Sequence, residues 1–168
     1  MQDRGQENQL KVPEVSPIPD RAIAQLRAVI EASREHGPVA LIGSSLGGYY
    51  AIWLAERYDC PAVMINPSIR PYDLLKDYLG VNTNQYTGET YEFTEGLVIQ
   101  LRALDITRVT RPSRYLLMVQ KGDAVLDYRQ AVEKFPDSPT IIEEDGTHEF
   151  QGFERHLETV VAFCGIKS

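Results

Sequence analysis

Cysteine, basic charge and long apolar runs are all scarce in this 168-residue chain, and each scarcity excludes a class of protein. The two cysteines, Cys60 and Cys164, lie far apart and lack C-x-x-C or metal-ligand spacing, so neither a disulfide framework nor a cysteine metal site is readable. Two buried, reduced thiols are the expectation, which fits a cytoplasmic chain. Lysine and arginine number 17 against 24 aspartates and glutamates, a formal net charge of −7, whereas a nucleic-acid binder presents a basic face. No apolar run approaches the ~20 residues needed to span a bilayer. The polar opening, residues 1–8, has no secretory apolar core. Neither a Cys/His cluster nor a glycine-rich phosphate loop is found, so no metal, no other cofactor and no nucleic-acid or membrane partner is expected.

What the chain does have is an ordinary apolar content of 43%, enough for one domain with one core, and one conspicuous stretch, Pro38–Ala51, reading P-V-A-L-I-G-S-S-L-G-G-Y-Y-A. Val39–Ile42 predicts a short buried strand, and Leu46 to Arg57 a helix with Ala51, Leu54 and Ala55 at helical spacing. Between them, Gly43-Ser44-Ser45-Leu46-Gly47 matches G-x-S-x-G with Ser45 at its centre. Strand, tight turn and helix form the setting in which this pattern makes a nucleophile elbow. A serine on such a turn has strained backbone angles, and small neighbours relieve the crowding. The Leu46 N–H and the start of the helix then face any negative charge that develops at the serine.

Before this stretch, residues 1–9 read as a mobile lead-in and Leu10–Val15 as an extended, irregular edge segment interrupted by Pro13. Asp20 reads as the N-cap of a helix with Ile23, Leu26, Val29 and Ile30 as its apolar stripe, ended by Gly37-Pro38. After the elbow helix, Pro61–Ile65, Tyr115–Val119 and Pro139–Glu143 read as buried strands. Helices are expected over Tyr128–Phe135 and Phe153–Cys164, the latter burying Leu157, Val160, Val161 and Cys164. Strands alternating with helices define an α/β domain with a mostly parallel sheet and helices on both faces. Residues 68–110 differ, being turn-rich with Tyr72, Tyr78, Tyr86 and Tyr91. They form either a cap or substrate wall over the sheet edge or an ordinary insertion whose tyrosines pack on the body.

Ser45, Asp123 and His148 each fall just past a predicted strand, on the edge where parallel sheets place their sites. Serine, then aspartate, then histidine is the order of the α/β-hydrolases. A free hydroxyl is a poor nucleophile at neutral pH, an imidazole can take its proton, and a carboxylate behind the imidazole sets the tautomer. Asp127 is a competing acid that better suits the N-cap of the next helix. His36 falls at a helix end, where a cation is favourable, and His156 reads as a surface residue of the last helix. Arg70, just past the second strand, is a candidate for a substrate anion or for a surface salt bridge, and Tyr72 for an aromatic pocket wall.

Several stretches together resemble the YqiA/YcfP-like esterases, a bacterial α/β-hydrolase family. They are G-S-S-L-G-G-Y-Y-A (43–51), N-P-S-I-R-P (66–71), D-Y-L-G (77–80), Y-T-G (86–88), V-L-D-Y-R-Q-A (125–131) and G-T-H-E-F (146–150). The resemblance runs from about Val12 to the C-terminus. It implies a small cytoplasmic serine esterase acting on carboxylic or thioester acyl substrates, with Ser45 as nucleophile, Asp123 as acid and His148 as base. Members of that family begin with a buried strand and an H-G-F-x-S-S-P-like loop, a segment not found ahead of Leu10 here. On that basis the chain reads as N-terminally truncated. Its second oxyanion donor is lacking, and Val39–Ile42 has an open side that Leu10–Val15 or a second copy of the chain could pair. The alternative to an active esterase is a truncated relative serving as a binding protein, and acyl transfer to an acceptor other than water would use the same residues.

Overall fold

The computed structural model describes residues 10–83, 88 and 90–165; the expected lead-in at residues 1–9 and Tyr86 lie outside them. Four strands form one parallel sheet: β1 (Leu41–Ser44), β2 (Ala62–Ile65), β5 (Tyr115–Gln120) and β6 (Thr140–Glu143), in the spatial order β1-β2-β5-β6. A separate antiparallel hairpin, β3 (Gly80–Thr83) with β4 (Thr90–Phe93), interrupts the chain between β2 and β5. The strands are short, and β2 and β5 are buried throughout, as expected of the centre of a parallel sheet covered on both faces. On one face, α2 (Leu46–Tyr58) and α5 (Tyr128–Lys134) enclose Ile52, Ala62, Met64, Leu117, Val119 and Phe135. On the other, Val63, Ile65, Leu116 and Met118 pack with Phe150 and with Val160 of α6 (Leu157–Phe163). A third cluster joins α1 (Pro19–Arg34) and α2 to α4 (Glu95–Ala103), with Tyr72 of the short α3 (Pro71–Leu74) packed against it.

Several expectations shift once the sheet exists. β1 starts two residues later than its apolar run, because pairing begins where Leu41 N–H reaches Pro61 O (2.8 Å) and extends until Ser45 N–H reaches Ile65 O (3.1 Å). Neighbouring strands, not local hydrophobicity, set those bounds. Asp20 is not the N-cap of α1. That position is Ile18, Pro19 opens the helix, and Asp20 places its charge in the first turn, where the helix dipole favours it. Leu10–Val15 forms no strand: Leu10 and Val12 are exposed, and only Val15 packs on the body. β1 therefore has β2 as its only partner among the described residues, and Ile42 is 48% exposed.

The last helix divides into a 3₁₀ turn (Phe153–His156) and α6. That change of pitch leaves Leu157 exposed while Val160 stays buried, and it turns His156 onto Glu143 (2.9 Å) instead of into solvent. The 68–110 region is partly body. Phe93 of β4 and Leu97, Val98 and Leu101 of α4 are buried against α1 and α2, with Tyr72 and Tyr91 packed at the rim, whereas Tyr78 is exposed.

Candidate functional site

The site lies past the C-terminal ends of β1, β2, β5 and β6. Ser45 follows β1 with φ 52° and ψ −120°, a conformation that a non-glycine residue holds only when its surroundings over-determine it. Three backbone bonds do so. Ser45 N–H reaches Ile65 O, while Ser45 O accepts from Ser68 N–H (3.0 Å) and from Tyr49 N–H (3.2 Å). The glycines close the turn, though not as the motif alone suggests. A Cβ on Gly43 would stand 2.3 Å from Gly47 O and one on Gly48 2.8 Å from Pro67 Cβ, whereas one on Gly47 would meet nothing within 4 Å. Crowding thus falls on Gly43 and Gly48. Leu46 is the first residue of α2, so its N–H has no carbonyl four residues behind it within the helix.

His148 Nε2 stands 3.0 Å from Ser45 Oγ, and His148 Nδ1 stands 2.8 Å from Asp123 Oδ2. An ionised carboxylate only accepts, so Nδ1 carries the proton, and the neutral ring offers Nε2 as acceptor for the Ser45 hydroxyl. The Asp123 side chain is 2% exposed, and its other oxygen accepts from Val125 N–H (2.8 Å) and Leu126 N–H (2.9 Å), which fixes the carboxylate plane. His148 is 27% exposed, enough for a substrate to reach the ring. Asp127, the competing acid, is 39% exposed; it caps α5 through Arg129 N–H (3.0 Å) and pairs with the Arg129 guanidinium, which holds its carboxyl below the usual range. The geometry brings Ser45, His148 and Asp123 together and leaves Asp127 outside.

Arg70 and Tyr72 line an open surface cavity of about 520 Å³ with Asp73, Arg102, Asp105 and Thr107. No member of the Ser45–His148–Asp123 chain is on its wall; a second open cleft of about 460 Å³ includes Asp123. Among the described residues no group of three or more histidine, cysteine or acidic side chains converges as a metal site would need. Nor is any helix among them long and apolar enough to cross a membrane.

Three buried or half-buried residues of the site escape sequence reasoning: Asn66, Gln120 and Glu143. Asn66, with φ 39°, reads from sequence only as the end of a strand, yet its Nδ2 donates to Thr147 O (2.9 Å) and His148 O (3.1 Å). Gln120 ends the otherwise apolar run Y-L-L-M-V and is fully enclosed. A polar residue at the mouth of a strand buried on both faces is the one signal that could have found it. The Glu143 carboxyl is pulled down to about 2 by hydrogen bonds from Arg155 first, then His156 and Gln120.

A parallel sheet with this strand order, flanked by helices and carrying a strained serine after β1, is the α/β-hydrolase fold. A protein from Agrobacterium vitis S4 superposes with a TM-score of 0.67 at 21% identity, over 87% of this chain and 68% of that one. The monoacylglycerol lipase of Paleococcus ferrophilus does so with a TM-score of 0.62 at 16% identity, over 92% of this chain and 78% of the lipase. Residues 1–165 match the family described as uncharacterised protein family UPF0227, and the chain belongs to that family. The UPF0227 protein YcfP of Salmonella arizonae is 25% identical over 124 residues, 73% of this chain and 63% of that relative's length.

Proposed function

We propose that the chain is a serine hydrolase of carboxylic esters, thioesters included, working through an acyl-enzyme on Ser45. The observation that carries this reading is the unbroken hydrogen-bond chain Asp123–His148–Ser45, ending on a serine held in strain at the head of α2. Its members fill the roles of nucleophile, base and orienting acid. Ser45 Oγ attacks the ester carbonyl carbon as His148 Nε2 takes the hydroxyl proton. The resulting oxyanion accepts a hydrogen bond from Leu46 N–H, at the positive end of the helix. Collapse breaks the bond to the alcohol or thiol, which leaves with the proton from His148. Water then attacks the acyl-enzyme, gives a proton to His148, and releases the acid as that proton returns to Ser45. Asp123 stabilises the imidazolium throughout and is not itself protonated. Arg70 and Tyr72, whose cavity carries none of Ser45, His148 and Asp123, are assigned to the end of a small acyl ester remote from the scissile bond, drawn from a cytoplasmic pool. The fold shared with the monoacylglycerol lipase supports ester chemistry as the class.

A second reading rests on the open edge of β1. With β2 as its only partner among the described residues, the nucleophile strand lacks support on its other side, as a relative that binds acyl groups without turning them over could tolerate. Pairing of two copies along that edge belongs to the same reading. Intact-mass spectrometry after fluorophosphonate treatment separates the two. The hydrolase reading expects one adduct on the parent and none on Ser45→Ala or His148→Ala. A folded parent that takes no adduct overturns it in favour of the binding protein.

A further inference from the structure

We propose that Asn66 and Gln120 form a positioning bracket for His148. The two buried side-chain amides hold residues 147–151 in the one backbone arrangement that aims the imidazole at Ser45, an inference that rests on the hydrolase reading. His148 lies on a loop between β6 and the following 3₁₀ turn, where no strand or helix ladder satisfies the backbone. Five of the loop's backbone bonds go to these two side chains. Gln120 Oε1 accepts from Thr147 N–H (3.0 Å) and Gln151 N–H (2.9 Å), and Gln120 Nε2 donates to Gln151 O (2.7 Å). Asn66 Nδ2 donates to both Thr147 O and His148 O, the two carbonyls on either side of the His148 peptide nitrogen and ring.

Neither amide is free to flip, and each is held by its own partner. Asn66 Oδ1 accepts the Gln120 backbone N–H (2.9 Å), which forces its Nδ2 toward the loop. Glu143 accepts the remaining N–H of Gln120 Nε2, and an acceptor-only carboxylate leaves Oε1 no direction but toward the two loop N–H groups. Arg155 (2.8 Å) and His156 (2.9 Å) pin Glu143 in turn. The loop is moulded onto the bracket: Gly146 has φ 100°, and a Cβ there would stand 2.0 Å from Gln120 Oε1. Phe150, at φ 60°, closes the loop with its N–H on Thr147 O (3.0 Å). With Phe150, Asn66 and Gln120 all buried, these bonds also stabilise the fold; the bracket's particular product is one position for the ring.

The test pairs a spectroscopic readout with a chemical one. Asn66→Asp keeps a side chain tolerant of a left-handed backbone and the acceptor for Gln120 N–H, but it deletes both donors to the loop. Gln120→Met keeps the length of the side chain and deletes both its acceptor for Thr147 and Gln151 and its donors to Gln151 O and Glu143. In each, the downfield proton resonance of His148 Nδ1–H, assigned by its loss in His148→Ala, is expected to shift or vanish in protein that circular dichroism shows folded. Labelling by the fluorophosphonate should slow about 100-fold, the order expected when a reacting group is misplaced by about an ångström. A merely structural role would lower the melting temperature and leave both readouts unchanged in the folded variants, and that result overturns the bracket. Glu143→Gln, which frees Gln120 without touching it, is the milder variant should either amide variant fail to fold, and the same shift of the resonance is required of it. A parent that takes no label while its His148 resonance responds to Asn66→Asp sinks the hydrolase reading and leaves the bracket standing. A parent labelled in a His148-dependent way, with neither readout moved by the variants, sinks the bracket alone.

Discussion

Two polar clusters occupy opposite ends of the same central strands, and they are built from different materials. At the amino end, Arg114 is 7% exposed and bonds Glu56 (3.0 Å) and Asp59, while Glu56 also accepts from Tyr115 and Thr110. Burial pushes the Glu56 carboxyl up, and the bonds from Tyr115 and Thr110 and the nearby Arg114 together bring it below its usual range. The one left-handed non-glycine residue there, Asp59, follows the end of α2, where such a residue is ordinary. At the carboxyl end, two neutral amides stand between the histidine loop and the Glu143–Arg155 pair, and Ser45, Asn66 and Phe150 all have positive φ. Charge matched to charge on relaxed backbone holds a fold together. Amides bonded to the backbone of one loop, with a carboxylate behind the bracket and another behind the ring, hold a single loop geometry on strained backbone.

Substitutions at the two ends should therefore separate stability from reactivity. The largest effect is expected from Asp123→Asn, which presents the wrong partner to His148 Nδ1 and should slow fluorophosphonate labelling about 10⁴-fold. Asp127→Ala should leave labelling intact and cost about 1 kcal/mol through loss of the α5 cap, measured by urea denaturation. Equal effects of the two would break the assignment of the acid. Next comes Arg114→Ala, which strands Glu56 without its cation in a nearly closed site. It should cost about 3 kcal/mol in urea unfolding while labelling of the folded fraction proceeds at the parent rate. Slowed labelling there would mean that the two ends are coupled.

The glycine pair sharpens the contrast further. Gly43→Ala drives a Cβ into the Gly47 carbonyl, and it should lower stability by about 2 kcal/mol and labelling with it. Gly47→Ala, which meets open space near the start of a helix, should change stability by no more than about 1 kcal/mol, in the favourable direction. The smallest effect concerns acid. The Glu143 carboxyl titrates near 2 in the fold against 4.5 in the open chain, so its contribution is complete above about 4.5 and is lost as pH falls toward 2. Melting temperatures of Glu143→Gln should depend less steeply on pH across that window than those of the parent.

The sheet and the three aligned side chains were legible because each signal is local. Apolar runs ending in Ser45, Asp123 and the Glu144–His148 stretch mark three strand ends, and a parallel sheet carries strand ends to one edge. What sequence could not supply were features created by the assembled sheet. The β1 boundary depends on Pro61 and Ile65 as partners, twenty residues away. Asn66 and Gln120 act on a loop more than twenty-five residues downstream, and no spacing rule connects an amide to a distant backbone. The 3₁₀ turn at Phe153–His156 brings Arg155 and His156 both onto Glu143, a distant partner that an unbroken amphipathic pattern over 153–164 conceals.

β5 joins the two ends, and it works as a ruler. Its six residues alternate faithfully, Tyr115, Leu117 and Val119 toward α2 and α5, Leu116 and Met118 toward α6, so that Gln120 arrives on the α6 side, beneath the histidine loop. At about 3.3 Å per residue, the strand sets a distance of under 20 Å between the Tyr115–Glu56 anchor and the amide under His148. One inserted residue would lengthen that ruler by a single mark, yet it would also turn Gln120 to the opposite face. The strand is thus tolerant of which apolar residues compose it and intolerant of how many there are.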